Sequence, residues 1–105
     1  MESIQKYVPG YQPGDPEHRK LLQLYTTDRP EVHDVVAEIR EVFEAYEERV
    51  IIGEIYLPVE RLVKYYGLER PGVHLPFNFQ LVHAPWKAID IAAMIDEYEQ
   101  LIPEG

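Results

Sequence analysis

Apolar residues recur at helical spacing between residues 27 and 46, and this is the clearest pattern in the chain. The segment TTDRPE opens the pattern. Asp28 is placed to accept a hydrogen bond from an early backbone N–H, Pro30 is tolerated in a first turn, and Glu31 lies three residues after Asp28. One apolar stripe is expected along this helix, formed by Val32, Val35, Val36, Ile39, Val42, Phe43 and Tyr46.

Two further apolar runs predict strands, each followed by a helix. Residues 50–57, VIIGEIYL, form a short run rich in β-branched residues, which is typical of a strand buried on both faces. Residues 73–82 predict a second strand, with Pro76 near its beginning and away from the central ladder. The intervening helix starts at Pro58 and stops at Gly67, with Val59, Leu62, Val63 and Tyr66 facing inward. The last helix starts at Pro85 and Trp86, runs through Ile91, Ile95, Tyr98 and Ile102, and ends at Pro103.

This order of elements predicts an α/β architecture in one domain. A helix–strand–helix–strand–helix alternation indicates parallel strands joined by crossover helices. Residues 1–24 are expected to form an irregular arm because turn residues are dense there, and Tyr7 and Tyr11 suggest that the arm packs against something. Two parallel strands leave unpaired edges, and doubly buried strands normally lie inside larger sheets, so residues 25–105 describe a slice of a sheet or barrel.

Composition excludes several classes of function. The formal net charge of −9 argues against nucleic acid and anionic membranes as partners, whereas neutral ligands such as sugars are compatible with it. The absence of cysteine excludes disulfides and thiolate chemistry, and a cytoplasmic location is expected. No apolar run approaches the roughly 20 residues of a membrane span. The 4 histidines fit no metal-ligand spacing, so no metal or cofactor is expected.

Glu54 is the main candidate for chemistry. A carboxylate inside an apolar strand carries a large desolvation cost in a plain core, whereas at the carboxyl end of a parallel strand it reaches the edge where α/β folds build active sites. Apolar walls there raise the pKa of a carboxyl group and keep it protonated, as a general acid requires. Gly53 permits close approach of a neighbour. The alternative is a strand-terminal glutamate that caps the next helix or pairs with a lysine.

Three stretches together resemble the α-amylase family of glycoside hydrolases, in particular its α-glucosidase branch. Residues 49–58, RVIIGEIYLP, resemble the family's fifth-strand motif, and residues 24–33, LYTTDRPEVH, and 74–81, HLPFNFQL, resemble flanking segments of the same branch. The resemblance covers nearly the whole chain. It implies a TIM-type (β/α)8 barrel, of which this chain would span about helix four to helix six as an internal fragment.

The resemblance also implies a retaining glycosidase mechanism. In the family, an aspartate after strand four attacks the anomeric carbon, and a second aspartate near strand seven helps to stabilise the transition state. The glutamate after strand five protonates the leaving oxygen and then activates water, and Glu54 matches that general acid/base by its motif. The motifs that carry the two aspartates are absent, since Asp15 and Asp28 lie in a turn-rich arm and at a helix start. We therefore expect the isolated chain to be inactive.

Aromatic and histidine side chains supply weaker candidates. Phe77 and Phe79 are candidate sugar-stacking platforms, with barrel core as the alternative role, and Trp86 is a platform or a helix-packing residue. Asn78 and Gln80 alternate with the phenylalanines and face the other way in an extended strand. His33 and His74 are expected to be structural, with ligand contact as the alternative.

Two functional hypotheses remain open at this point. The first is a fragment of an α-glucoside hydrolase or related transglycosylase, whose substrate is an α-glucoside or oligosaccharide such as maltose, isomalto-oligosaccharides, sucrose or trehalose. The second is a stand-alone α/β domain that binds a protein partner through its strand edges or apolar helix faces. In either case the open edges predict self-association.

Overall fold

The computed structural model describes residues 8–16, 20, 22 and 24–104. In this part of the chain the regular elements are α1 (Val32–Glu44), β1 (Ile52–Glu54), α2 (Val59–Leu62) continued by a 3-10 turn (Val63–Tyr66), β2 (Leu75–Phe77), α3 (Gln80–His83) and α4 (Ala88–Leu101). The described residues between 8 and 24 form turns, and Tyr7 lies outside the described residues.

The two strands pair in parallel, which confirms the predicted α/β arrangement. Ile52 lies opposite Leu75, and Glu54 lies opposite Phe77. The strands are joined by α2 and the 3-10 turn, so the connection is a helical crossover. Partners directly opposite in a parallel pair point to the same face, so this register defines two faces of the sheet.

One face of the sheet covers the core. Gly53 and Pro76 are partners on this face, and Pro76 is buried. The core below them is small and comes mainly from the crossover: Ala37, Val59, Leu62, Val63, Tyr65 and Val73. Val59, Leu62 and Val63 are buried as the sequence predicted, whereas Tyr65 takes the buried position predicted for Tyr66. Ala37 was not among the predicted inward residues. Tyr66 is only half-buried, and its hydroxyl lies 3.0 Å from that of Tyr98 on α4.

The opposite face of the sheet is uncovered. Ile52 is 63% exposed and Phe77 is 54% exposed, and Leu75, the partner of Ile52, is also exposed. The prediction that β1 is buried on both faces is therefore wrong for this chain. Among the described elements, helices cover one side of the sheet and leave the other exposed, and the chain measures 51 × 47 × 20 Å along its principal axes.

The start of α1 differs from the prediction. The N-cap residue is Glu31, without a side-chain capping bond, so the expected cap by Asp28 is wrong. Asp28 instead bonds to Arg61 and Tyr65 on the crossover. The predicted single apolar stripe divides as well: one side of α1 packs inward around Ala37, and the other side is exposed at Val35, Ile39, Val42 and Tyr46.

The second strand is shorter than predicted, because the chain turns at Asn78. The Asn78 side-chain oxygen accepts a hydrogen bond from the Gln80 backbone N–H at 2.9 Å, an Asx-type turn that ends β2 and leads into α3. Pro76 lies in the middle of β2 rather than near its beginning. It is tolerated because the Leu75 N–H, not residue 76, donates to the β1 side, at 3.2 Å from the Ile51 carbonyl oxygen.

No helix within the described ranges has the length and apolar character needed to cross a membrane.

Candidate active site at the carboxyl end of the paired strands

Glu54 occupies the last position of β1, at the carboxyl end of the sheet. Its register partner is Phe77, the last residue of β2, so both side chains leave the same end of the sheet on the uncovered face. Glu54 is exposed, and among the residues that the structure describes it forms no ion pair with a base. The helix that follows begins at Pro58 without a side-chain cap, so Glu54 serves neither of the structural roles considered from the sequence.

An aromatic cluster lies beside Glu54. The rings of Tyr56 and Phe79 stack with their centroids 3.9 Å apart and an interplanar angle of 15°. Phe77 contacts Phe79 with centroids 4.8 Å apart in a tilted arrangement. The two phenylalanines predicted as site residues are therefore brought together, and Tyr56 joins them as a third ring that sequence reasoning did not single out.

The position of Tyr56 follows from strand alternation. Exposed and less exposed residues alternate from Ile52 to Pro58, so the extended backbone continues past the end of β1. Tyr56, two residues after Glu54, is therefore on the same side of the chain. Partial desolvation is the largest cause that raises the pKa of the Tyr56 hydroxyl, and the nearby carboxylate of Glu54 raises that pKa further. The two-residue spacing was the available sequence signal for this contact.

The loops that follow β1 and β2 are tied to one another at this end of the sheet. The Gln80 side-chain N–H donates to the Leu57 carbonyl oxygen at 3.0 Å. Gln80 is itself fixed by its backbone bond to Asn78. The side chains of Asn78 and Gln80 are therefore engaged in hydrogen bonds and do not point from a strand toward a ligand. Their role in the described structure is to hold the two aromatic-bearing segments together.

Gly53 lies at a close approach on the covered face, as expected. An added Cβ would lie 3.0 Å from the Ile55 side chain and 3.3 Å from that of Val73. Val73 belongs to the core, so the contact lets β1 lie directly on it. A small residue immediately before Glu54 therefore sets how closely the end of β1 packs on the crossover.

His33, His74 and Trp86 lie outside this cluster. His74 accepts a hydrogen bond at Nδ1 from the Ile51 N–H at 3.0 Å, and its Nε2 lies 3.6 Å from a Glu44 carboxylate oxygen. His33 contacts the Tyr65 ring with centroids 4.8 Å apart. Both contacts agree with the structural roles expected. Trp86 is 85% exposed, so it does not pack its helix onto the sheet in this chain.

Asp15 and Asp28, which the sequence analysis set aside as catalytic carboxylates, are engaged in other interactions. Asp15 accepts a hydrogen bond from the Gln12 backbone N–H at 2.9 Å and closes its own turn. Asp28 is bound by Arg61 and Tyr65, which neutralise and fix its carboxylate. Within the described residues, no group of three or more acidic or histidine side chains is arranged to hold a metal ion. What the site offers chemically is one exposed carboxylate beside aromatic faces.

The described residues define an α/β protein with an exposed carboxylate and a cluster of aromatic rings at the carboxyl ends of two parallel strands. The alpha-amylase catalytic domain family matches residues 2–101. The chain belongs to the α-amylase family and resembles its α-glucosidase members.

Curated relatives carry α-glucosidase and maltase names. The chain is 30% identical to Maltase A1 of Drosophila melanogaster over 103 aligned positions, which cover 89% of this chain and 18% of that protein. It is 32% identical to an alpha-glucosidase of Culex pipiens, covering 88% of this chain and 17% of the relative. It is 35% identical over 82 positions to a salivary alpha-glucosidase of Anopheles gambiae, covering 71% and 14%. The chain therefore spans less than a fifth of the length of these relatives.

Proposed function

We propose that this chain is an internal part of the (β/α)8 barrel of a retaining α-glucosidase-type glycoside hydrolase, and that Glu54 is its general acid/base. The observation that carries the proposal is the place of Glu54 at the carboxyl end of a parallel strand, on the face that the helices leave uncovered. In a closed barrel that face is the interior, and active sites are built at the carboxyl ends of the strands. Small α-glucosides are the proposed substrate class, because the relatives carry the names maltase and alpha-glucosidase.

The proposed mechanism assigns two proton transfers to Glu54. Its carboxylic acid donates a proton to the glycosidic oxygen as the bond to the anomeric carbon breaks, and the resulting carboxylate later accepts a proton from the water that attacks the glycosyl–enzyme intermediate. The nucleophilic carboxylate must lie about 5–5.5 Å from Glu54 across the scissile bond in a retaining site. We propose that it comes from polypeptide outside these residues, because Asp15 and Asp28 have other partners.

Phe77 and Phe79 are proposed substrate contacts. The ring of Phe77 is 54% exposed on the same face as Glu54, and Phe79 joins it to Tyr56. An exposed aromatic face accommodates the apolar C–H face of a pyranose. Burial in the barrel core is the competing role for both rings. A sugar that changes the fluorescence or the ring-proton chemical shifts of these phenylalanines would support substrate contact over burial.

Two consequences follow for the chain on its own. It should be inactive, since one of the carboxylates that retention needs is missing. It should also self-associate through the uncovered sheet face and strand edges. Family membership and Glu54 placement favour this assignment over a stand-alone protein-interaction domain. A measurable hydrolysis of 4-nitrophenyl α-glucoside by the chain, abolished by Glu54→Gln, would contradict the missing nucleophile.

The deciding experiment uses a polypeptide that contains this segment within a complete barrel. Glu54→Gln should lower kcat on maltose by roughly 10²–10⁴-fold, and should cost less in the first step for 4-nitrophenyl α-glucoside, whose leaving group needs little protonation. Azide should restore turnover of the activated substrate and give the α-glucosyl azide, because azide needs no general base. Glu60→Gln, at an exposed position on α2, is the matched control. Equal losses on both substrates without azide rescue would overturn the assignment.

A further inference from the structure

Tyr56 and Glu54 form a pair that the proposed mechanism does not yet use. They are two residues apart in extended backbone and lie on the same side of the chain at the carboxyl end of β1. Both are exposed, Tyr56 to 66%, so nothing else in the described structure covers either polar group. The arrangement places a phenolic hydroxyl next to the carboxylate on the side from which a substrate would approach.

The Tyr56 ring is held independently of its hydroxyl. It lies flat on Phe79 at 3.9 Å, and Phe79 is braced by Phe77 at 4.8 Å. The bond from the Gln80 side chain to the Leu57 carbonyl joins the residue after Tyr56 to the segment that carries Phe79. Because the ring is fixed by stacking, removal of the hydroxyl alone would leave the ring in place.

We propose that Tyr56 is a positioning residue whose hydroxyl donates a hydrogen bond to the Glu54 carboxylate and fixes the direction of that side chain. The catalytic meaning of this contact rests on the proposed function of Glu54. A hydrogen bond to one carboxylate oxygen leaves the other free for the glycosidic oxygen and then for the attacking water. Tyr56 keeps its proton throughout, so it orients the acid/base without taking part in proton transfer.

The electrostatics of the hydroxyl agree with this contact. Desolvation is the largest cause that raises the pKa of Tyr56, followed by the nearby charge of Glu54. Glu54 is the only ionised side chain among these causes. A hydroxyl that donates to a carboxylate gives up its proton less readily, because the anion that forms would face a like charge.

The contact can be tested in the 105-residue chain without any activity. Tyrosines labelled with ¹³C at Cζ are titrated by NMR, and Tyr56→Phe identifies the Tyr56 signal. Glu54→Gln should lower the titration midpoint of Tyr56, whereas Glu60→Gln should leave it unchanged. Tyr65, whose pKa is raised to about 12 by burial and by its bond to Asp28, serves as the internal reference for an intact fold.

The Tyr65 signal shows whether each variant keeps the fold of the parent chain. Spectra are compared only where the Tyr65 signal matches that of the parent chain, and Glu54→Ala serves as a second variant if the glutamine substitution alters the fold. A Tyr56 midpoint that stays at the parent value after removal of the Glu54 carboxylate overturns the proposal.

The kinetic test uses the complete barrel and separates positioning from a structural role. Tyr56→Phe should lower kcat roughly tenfold, as the loss of a hydrogen bond to a charged group implies. It should also move the alkaline limb of the kcat/KM profile to higher pH, because the ionised carboxylate loses a donor that stabilises it. A merely structural tyrosine would lower the rate without moving that limb, and this result would overturn the proposal.

Tyr46→Phe is the matched control for the kinetic test. Tyr46 is 63% exposed, close to the exposure of Tyr56, but it follows α1 and lies near Val50 and His74 before the strands begin. The proposed role of Glu54 and the proposed contact between Tyr56 and Glu54 can be overturned independently of each other. Absence of azide rescue in Glu54→Gln would overturn the role of Glu54 and leave the NMR contact standing, whereas an unchanged Tyr56 titration would overturn the contact and leave the role of Glu54 standing.

Discussion

Asp28 ties the segment before α1 to the crossover that follows β1. Its Oδ2 accepts from the Arg61 Nε–H at 2.6 Å, and its Oδ1 accepts from the Tyr65 hydroxyl at 2.8 Å. The Asp28 side chain is only 10% exposed, and its backbone has a φ of 51°. Aspartate tolerates this left-handed conformation better than most residues, so backbone and side chain favour the same residue here.

Substitution of Asp28 should destabilise the fold in a graded way. Asp28→Ala removes the acceptor for a buried hydroxyl, and we expect it to lower the free energy of unfolding by about 2 kcal/mol. Asp28→Asn keeps an acceptor oxygen and the tolerance of positive φ, so it should cost about 1 kcal/mol. The ion pair with Arg61 adds little to either loss of stability, because the Arg61 side chain is half-exposed and water can solvate its charge. Chemical denaturation at one fixed protein concentration measures both values.

Glu47→Ala is the control for Asp28, because Glu47 is an exposed acid in the turn after α1. It should change the free energy of unfolding by less than about 0.5 kcal/mol. If Asp28→Ala were as mild as this control, the clamp between Asp28 and the crossover would have no energetic role.

Tyr65 makes the stability of the fold sensitive to alkaline pH. Burial, followed by the bond to Asp28 and its charge, raises the pKa of Tyr65 to about 12, against an ordinary value of about 10 in an unfolded chain. Below about pH 10 both states keep the proton and the stabilisation is complete. Between about pH 10 and 12 the unfolded state loses the proton first, so the free energy of unfolding falls as pH rises.

The Tyr65→Phe variant isolates this effect. It should be less stable than the parent at neutral pH, because the bond to Asp28 is lost, and the difference should narrow between about pH 10 and 12. Tyr98, whose pKa is raised by burial and by its bond to Tyr66, is present in both proteins and cancels in the comparison. Denaturation at a series of pH values measures the difference. A difference that stays constant across this range would mean that Tyr65 does not hold its proton more tightly in the fold.

The sequence predicted the roles of residues whose partners are close in the chain, and it did not predict interactions between residues that are distant in the chain. The place of Glu54 follows from a local apolar run and the carboxyl end of a strand, and the structure puts it there. Asp28 was assigned to the adjacent helix because capping is a local interaction. Its actual partners, Arg61 and Tyr65, are more than 30 residues away along the chain, and only the packing of α1 against the crossover brings them near.

The loop between the 3-10 turn and β2 is a tight connection between elements. The Gly67 N–H donates to the Lys64 carbonyl, and Gly67 pairs with Pro71 in an isolated bridge. The N–H groups of residues 72 and 73 then donate to the carbonyls of residues 66 and 65, each at 2.8 Å. These bonds bring the backbone of residue 72 against the backbone of the 3-10 turn, so the start of β2 is set by main-chain contacts.

A side chain at residue 72 should disrupt this connection. An added Cβ would overlap the Tyr65 carbonyl oxygen and lie 2.9 Å from the Gly67 nitrogen, and backbone atoms cannot move aside as a flexible side chain would. We expect Gly72→Ala to lower the free energy of unfolding by about 2–3 kcal/mol. Leu68→Ala in the same loop removes an exposed side chain and should be close to neutral. Thermal or chemical unfolding measures the stability of the two variants. Equal losses of stability in both would contradict this loop geometry.

Element type was easier to predict than element length, and β2 shows why. Residues 73–82 were predicted as a strand, but only Leu75–Phe77 form one. The limit comes from the Asn78 side chain, which competes for the Gln80 N–H and starts α3. A pattern of apolar residues indicates burial but does not reveal a turn made by a side-chain hydrogen bond. The asparagine within the strand pattern was the available signal for this turn.

At the scale of the molecule, the described residues leave exposed the apolar surfaces that we propose the rest of a barrel covers. The chain matches less than a fifth of each of the three relatives named above, and among the described elements helices cover one face of the sheet. One side of α1 is exposed as well, at Val35, Ile39 and Val42, and so is Tyr46 just after the helix. Extensive apolar surface of this kind is unusual on a monomer and is normally buried by another part of the protein or by a second chain.

The isolated chain should therefore associate at micromolar concentration, with the sheet face as the contact. Ile52→Lys replaces an apolar side chain on that face by a charged one and should shift association to higher concentration, because burial of an ammonium group in a contact is costly. Leu68→Lys makes the same chemical change at a similarly exposed site in the loop before β2, and it should leave association unchanged. Light scattering across a concentration series measures both. A compact monomer throughout the series would show that the uncovered face does not need a partner, and equal effects of the two lysines would show that net charge, rather than the sheet face, controls association.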